Sequence, residues 1–373
     1  MARKMNHLER ASAALADEDA DRLTVYPIAC GVSRRLIGNG KTTYREWCQS
    51  PEKFAEGFVA AQKAFDLDFS IGLMDLSVIA GDFGAGVRFD EENTPFVDKP
   101  LIKNLEDYDR LEEPDPEKGR TNVIIEGSRL VAERLGNEVI TSAFLEGPLL
   151  VLSQSAGAEK LFFDSFEEPD TVKRALRTVT EYEKKIVRRL GATGTNAICW
   201  DYLWANYSCL DDAEYGDLEG DVFAPELNEE TRRNGMAVAI HNCADLPHLD
   251  TQVKKFRPSI YSMAYYPLIE GSKTASQVID GGYADNTLIA GNLDPQLFER
   301  GTVQQVDEAT RALCQEAKTA LCRRGLRSRY CIASGCEVPP TTTCRLENIK
   351  AVSDAVKRYG TLGERSQGSG RTV

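Results

Sequence analysis

The sequence lacks any apolar run that approaches the ~18 residues of a membrane-spanning helix. Its first 22 residues are charged and contain no apolar signal core, so we predict neither a membrane partner nor a secretion signal. The ten cysteines are scattered, with no CxxC pair. Cysteines outside a disulfide framework are thiols or metal ligands in a reducing compartment. The sequence therefore predicts a cytoplasmic protein.

The chain also has fewer basic than acidic residues. The chain has 45 lysine and arginine residues against 58 aspartate and glutamate residues, a net charge of −13. A nucleic-acid-binding protein is expected to carry a basic face, so we expect no nucleic-acid partner. The 373 residues are enough for one large α/β barrel or two medium domains.

Histidine is scarce, and one of the three stands at the end of an apolar run. Residues 237–243 read AVAIHNC, which places His241 and Cys243 two positions apart. Side chains at i and i+2 of an extended chain point to the same side. Cys336 lies just beyond a second apolar run, residues 330–333. One imidazole and two thiolates suit zinc, and three protein ligands with an open fourth position are typical of a catalytic zinc site.

On residue types alone the alternative stays open. His241 can be a hydrogen-bonded histidine at a strand end, and the cysteines can be small buried apolar residues. The third ligand is 93 positions from the second, so the site depends on a fold that brings the two segments together.

Eight apolar segments alternate with helical patterns, which predicts a (β/α)8 TIM barrel. The predicted strands are 23–30, 68–71, 138–144, 196–200, 236–241, 258–264, 288–291 and 329–333. We divide the chain into an N-terminal helical extension (1–22), the barrel (23–360) and a flexible tail (361–373), with a hairpin excursion after strand 2. One long helix is expected to run from Gly147-Pro148 to about Phe163. The alternative is an open doubly wound sheet, but no GxGxxG follows the first strand.

Several segments resemble the uroporphyrinogen decarboxylase superfamily, and within it the zinc methyltransferases that work with corrinoid proteins. The similar segments are Glu9–Arg22, Asp75–Phe89, Glu146–Pro148 with Gly157, Asp201, His241–Cys243, Gly291–Pro295, Ser334–Val338 and Leu346–Ile349. The H-x-C pair and the late Gly-Cys are the specific part. The Arg-rich start of a true porphyrinogen decarboxylase is absent, and residues 29–33 read ACGVS instead.

The resemblance implies Zn²⁺ held by His241, Cys243 and Cys336, and a corrinoid (cobalamin) carried by a separate partner protein. It implies transfer of a methyl group between a small methylated substrate and the corrinoid cobalt. We expect O-demethylation of a phenyl methyl ether first. The alternatives are methyl transfer from the corrinoid to a thiol of the coenzyme M type, a uroporphyrinogen decarboxylase-like reaction, and a non-catalytic barrel that binds a corrinoid or a metal.

Other candidate residues lie at predicted strand ends, where barrel enzymes place their chemistry. Asp201 is a candidate for binding substrate or adjusting its protonation, and Glu146 is a candidate acid or fourth zinc ligand. Each can equally be a structural carboxylate. Aromatic candidates for substrate binding are Tyr26, Trp200, Trp204, Tyr265 and Tyr266. Ordinary barrel core is the alternative for each of them.

Overall fold

The structure, a computed structural model, describes residues 3–267 and 270–363. Its strands are β1 (Thr24–Tyr26), β2 (Phe69–Gly72), β3 (Gly86–Arg88), β4 (Phe96–Lys99), β5 (Ile140–Glu146), β6 (Ala197–Asp201), β7 (Ala237–Asn242), β8 (Ile260–Met263), β9 (Leu288–Leu293) and β10 (Tyr330–Ser334). Eight of them form one parallel sheet in the order β1-β10-β9-β8-β7-β6-β5-β2, and β3 and β4 form the antiparallel hairpin after β2. The predicted (β/α)8 barrel and its hairpin excursion are confirmed.

Helices cover the outside of the sheet. They are α1 (His7–Ala16), α2 (Tyr44–Trp47), α3 (Pro51–Phe65), α4 (Val78–Asp82), α5 (Leu105–Tyr108), α6 (Gly119–Leu135), α7 (Pro148–Ala156), α8 (Ala158–Glu167), α9 (Pro169–Gly191), α10 (Asp212–Tyr215), α11 (Phe223–Arg233), α12 (Ala275–Asp280), α13 (Leu297–Arg300), α14 (Val303–Arg324) and α15 (Leu346–Tyr359). Short 3₁₀ helices lie at Gly31–Leu36 and Gly38–Gly40, and π-helical turns at Gly216–Gly220 and Asp250–Lys255. Within the described residues, every helix is too short or too polar to cross a membrane.

Helix boundaries follow local chemistry. The Ser50 side chain accepts a hydrogen bond from the Lys53 N–H, and Pro51 occupies the first turn of α3, as expected of a helix start. The single helix predicted from residue 147 to about 163 is wrong. It breaks into α7 and α8 at Gly157, whose φ of +84° lies in the left-handed region that glycine adopts freely.

The barrel has a seam between β1 and β2, which are the two ends of the sheet order. The Tyr26 hydroxyl accepts from the Ile71 N–H (3.2 Å) and donates to the Ile71 carbonyl (3.4 Å). The Asp68 carboxylate accepts from the Val25 N–H (2.9 Å), and one main-chain bond runs from the Asp68 N–H to the Val25 carbonyl (3.0 Å). Side chains therefore complete the ring where no strand ladder does.

Asp68 also fastens the N-terminal helix to the barrel. Its fully buried carboxylate accepts from Arg10 of α1 (2.7 Å) and from Arg22 (2.8 Å). The domain boundaries remain a prediction. Of the predicted tail, Thr361 forms a bridge with Arg22, and residues 364–373 lie outside the described residues.

Candidate metal centre

Two strand ends bring His241, Cys243 and Cys336 together. His241 is the fifth residue of β7 and Cys243 follows that strand directly, whereas Cys336 stands two residues after β10. The ligand atoms of the three side chains all lie within 4.8 Å of one another. The two strands belong to one parallel barrel, so their carboxyl ends share one rim.

Gly335 lets the second segment reach this position. Its N–H donates to the Leu293 carbonyl (2.8 Å), which ties the turn to the end of β9. A Cβ atom at residue 335 would lie only 2.1 Å from the Tyr265 nitrogen. Any larger residue would therefore push Cys336 away from the other two ligands.

Ser262 orients the histidine. Its Oγ lies 2.9 Å from His241 Nδ1 on the neighbouring strand β8. With Nδ1 engaged, Nε2 is the nitrogen that is left to bind a metal. A hydrogen bond from the second ring nitrogen of this kind fixes the ring in metal sites.

The contact between the two sulfurs favours a thiolate at Cys336 and a thiol at Cys243. Cys243 Sγ and Cys336 Sγ are 3.6 Å apart. The hydrogen bond with Cys243 and the nearby His241 ring hold the pKa of Cys336 well below its ordinary value, although burial opposes this. The same hydrogen bond and burial raise the pKa of Cys243. The geometry fits zinc, because two thiolates on one tetrahedral Zn²⁺ lie roughly 3.8 Å apart with Zn–S bonds of about 2.3 Å.

A cavity of about 170 Å³ opens beside the three ligands and runs down the barrel axis. Its polar wall consists of Asp75, Asp201, Ser262 and Glu337 near the carboxyl ends of the barrel strands, together with Thr94 from the turn between β3 and β4. Its apolar wall includes Tyr26, Ile28, Phe69, Ile71, Phe144, Ile260 and Leu288. The cavity therefore places an apolar chamber directly below a candidate metal site.

Carboxyl groups beside the site hold their protons unusually tightly. Burial raises the pKa of Asp201 to about 7 and the pKa of Glu337 to about 8. Burial also raises the pKa of Glu146 to about 8, and the negative charges of Asp75 and Asp201 add to the effect. One oxygen each of Asp201 (Oδ1) and Glu146 (Oε1) is buried without a hydrogen-bond partner. The site can therefore keep neutral carboxylic acids near neutral pH.

The two predicted carboxylates differ in position. Asp201, the last residue of β6, lines the cavity. Glu146, the last residue of β5, lies two positions after the cavity-lining Phe144 and therefore on the same face of the strand, although it is not part of the wall.

Of the predicted aromatic residues, Tyr26 lines the cavity and the tryptophans do not. Trp200 lies between two cavity-lining residues of β6 and so points outward, where its Nε1 donates to Thr231 Oγ1 of α11 (3.2 Å). Trp204 donates to Ser153 Oγ of α7 (3.0 Å) and packs edge-on against Phe162. Both tryptophans therefore lie outside the cavity wall, and their predicted role in substrate binding stays a prediction.

The two tyrosines after β8 also lie away from the cavity wall. Tyr265 is half-buried, with its backbone against Gly335, and Tyr266 is 47% exposed beside a separate surface cleft. Strand alternation predicts which side chains point inward only within a regular strand. Tyr265 and Tyr266 lie in the loop after β8, so their orientation could not be predicted in this way.

Sequence reasoning missed three residues of the site. Glu337 accepts from the Gly31 N–H (2.6 Å), Asp75 is paired with Arg120, and Ser262 holds His241. A usable signal existed for two of them, because Glu337 follows a predicted ligand and Asp75 follows the second strand.

The model of the family described as uroporphyrinogen decarboxylase (URO-D) matches residues 6–359. A methylcobamide:CoM methyltransferase MtbA of Methanosarcina mazei is 22% identical over 320 residues, 81% of this chain and 87% of the relative. A uroporphyrinogen decarboxylase of Anaeromyxobacter dehalogenans is 24% identical over 331 residues, 86% of this chain and 89% of the relative.

Among solved structures, a methyltransferase from Methanosarcina mazei superposes with a TM-score of 0.78 at 19% identity, covering 95% of this chain and 99% of that one. A B12-independent methionine synthase from Shewanella superposes with a TM-score of 0.55 at 11% identity, covering 90% and 98%. These likenesses concern the fold. Since the family model matches nearly the whole sequence, the chain belongs to the uroporphyrinogen decarboxylase family.

Proposed function

We propose that this protein is a zinc-dependent methyltransferase that moves a methyl group between a small methylated substrate and the cobalt of a corrinoid on a partner protein. The observation that carries the proposal is the convergence of one imidazole and two thiols beside an apolar cavity. Relatives named as methylcobamide:CoM methyltransferases add support, since they match over most of both chains.

His241, Cys243 and Cys336 would hold the zinc, which supplies Lewis acidity to an ether oxygen or to a thiol. Ser262 keeps the imidazole in place, and the apolar wall excludes water from the reacting atoms. The unpartnered Asp201 Oδ1 is available to a substrate polar group inside the cavity. We assign Glu146 a supporting role in the same layer of the barrel.

The methyl donor that we put first is a phenyl methyl ether, because Tyr26, Phe69 and Phe144 give the cavity aromatic walls. In this direction the methyl carbon–oxygen bond would break with its electron pair left on the oxygen, and the cobalt(I) of the partner's corrinoid would be the methyl acceptor. The oxygen then takes up one proton.

A methylcobamide:thiol methyltransferase is the second candidate, which the names of the 22%-identical relatives favour. A porphyrinogen decarboxylase is the third, since other relatives carry that name. Methyl transfer to cob(I)alamin would separate the two methyltransferase candidates from a barrel that only binds a corrinoid or a metal.

Zinc analysis and a methyl-transfer assay test the proposal together. We expect close to one zinc per chain in the wild type, loss of zinc in Cys336→Ala, and retention in the control Cys322→Ser, which removes an exposed thiol. Methylated donors mixed with reduced cobalamin should yield methylcobalamin. Full porphyrinogen decarboxylation by metal-free protein, or no methyl transfer in either direction, would overturn the proposal.

A further inference from the structure

The cavity carries no positive side chain to match an anionic substrate. Within residues 3–267 and 270–363, neither a lysine nor an arginine contributes to its wall. Its acidic residues are Asp75, Asp201 and Glu337. Arg120, which lies beside Asp75, is already paired with that carboxylate and bonded to Ser77 Oγ (3.2 Å).

The position of the metal-ligating residues at one end of the cavity determines which part of a substrate contacts the apolar wall. The metal-ligating residues stand at the carboxyl ends of their strands, whereas Ile260 and Leu288, the first residues of β8 and β9, line the other end. A protein-borne methyl acceptor can approach only from the barrel mouth. The transferred methyl group must therefore point outward, and the rest of the substrate must lie along the apolar chamber.

The chamber offers few polar contacts to the part of the substrate that lies along it. The Tyr26 hydroxyl is engaged with the main chain of Ile71, so its ring is what faces a ligand. Phe69 packs edge-on against Tyr26 at a centroid distance of 6.4 Å, and Phe144 stands 6.3 Å from the His241 ring. An apolar cavity of about 150 Å³ accommodates benzene, and this one measures about 170 Å³.

From these observations we propose that the substrate is uncharged and consists of one ring-sized apolar body with a methylated oxygen or sulfur at the metal end. Carboxylates and sulfonates on that body are excluded, because an unpaired charge in such a chamber loses its hydration without gaining a partner. This inference rests on the proposed function. It separates the chain from enzymes whose substrates carry negative charge.

A matched pair of ligands tests the inference by binding alone. Calorimetry on the zinc-loaded protein compares 2-methoxyphenol with 4-hydroxy-3-methoxybenzoate, which adds one carboxylate to the same ring. We expect the neutral compound to bind at least 100-fold more tightly, about 2.7 kcal/mol. Equal or tighter binding of the carboxylate, or no binding of the neutral compound, overturns the inference.

A cation placed in the wall should weaken the preference for the neutral compound. Ile260→Lys puts an ammonium at the half-buried far end of the chamber, and we expect the ratio of the two affinities to fall at least tenfold. Ile140→Lys is the matched control, since Ile140 is the first residue of β5, half-buried, and outside the wall. An unchanged ratio in a folded Ile260→Lys contradicts the proposed orientation, and the wild-type comparison stands even if that variant does not fold.

The outcomes also distinguish this inference from the proposed function. Tight binding of the neutral ring without methylcobalamin formation would contradict methyl transfer and leave the substrate class intact. Methyl transfer from the carboxylate as efficient as from the neutral compound would contradict the substrate class and leave methyl transfer intact.

Discussion

Replacement of Glu146 by glutamine should change how the stability of the protein depends on pH. The ordinary pKa of this carboxyl group is 4.5, and burial at the end of β5 raises the pKa of Glu146 to about 8. Between these values the folded protein holds a proton that the unfolded chain has lost. Stability therefore falls as the pH rises.

The size of the effect follows from this difference. With 1.36 kcal/mol for each tenfold change in proton affinity, burial of Glu146 costs about 1 kcal/mol at pH 5 and about 5 kcal/mol at pH 9. An unfolding entropy of about 2.1 cal/mol/K per residue converts the difference of about 4 kcal/mol into about 5 °C for a chain of this length. These values are upper bounds.

Thermal unfolding at pH 5 and pH 9 measures the effect. Relative to the wild type, Glu146→Gln should gain up to about 5 °C in Tm on going from pH 5 to pH 9. Glu159→Gln, an exposed position on α8, is the matched control and should show no such gain. Because Asp201 and Glu337 are present in both proteins, their own ionisation largely cancels. If Glu146→Gln shifts Tm equally at both pH values, the neutral buried carboxylic acid is refuted.

Three further changes probe the ligand support, the N-terminal anchor and the seam. Ser262→Ala frees His241 Nδ1 and should weaken zinc binding about 10- to 100-fold in a chelator competition, with the circular dichroism spectrum unchanged. Asp68→Asn leaves the buried Arg22 guanidinium without its carboxylate, whereas Arg10 keeps its ion pair with Asp21, and should cost about 3–5 kcal/mol in urea unfolding; a loss below about 1 kcal/mol would contradict its role as an anchor. Tyr26→Phe removes both hydrogen bonds to Ile71 and should cost about 1–3 kcal/mol, with faster amide exchange at residue 71 as the specific readout.

The sequence was sufficient to predict the barrel and the meeting of the three candidate ligands. The alternation of apolar segments with helical patterns predicts the barrel. The position of the ligands at strand ends predicts their meeting, because a parallel barrel places the carboxyl ends of its strands at one rim. His241 and Cys336 come together for that reason, although 95 positions separate them. The identity of the metal and the roles of the ligands remain predictions.

The finer parts of the site depend partly on strand alternation and partly on contacts between distant segments of the chain. Trp200 lies at a strand end yet points outward, because its neighbours Cys199 and Asp201 take the inward positions. Glu337 is placed by a hydrogen bond from Gly31, which is 306 residues away in the chain. Such contacts arise only once the barrel has closed.

The seam gives this barrel one compliant side. Parting β1 from β2 breaks one main-chain hydrogen bond and the few bonds made by Tyr26 and Asp68, whereas parting other neighbouring strands breaks a whole ladder. Tyr26 and Ile71 of this seam are also part of the cavity wall. Local breathing of the native protein should therefore begin at this part of the chamber wall, which would let its contents exchange with solvent even if the proposed partner protein covered the mouth.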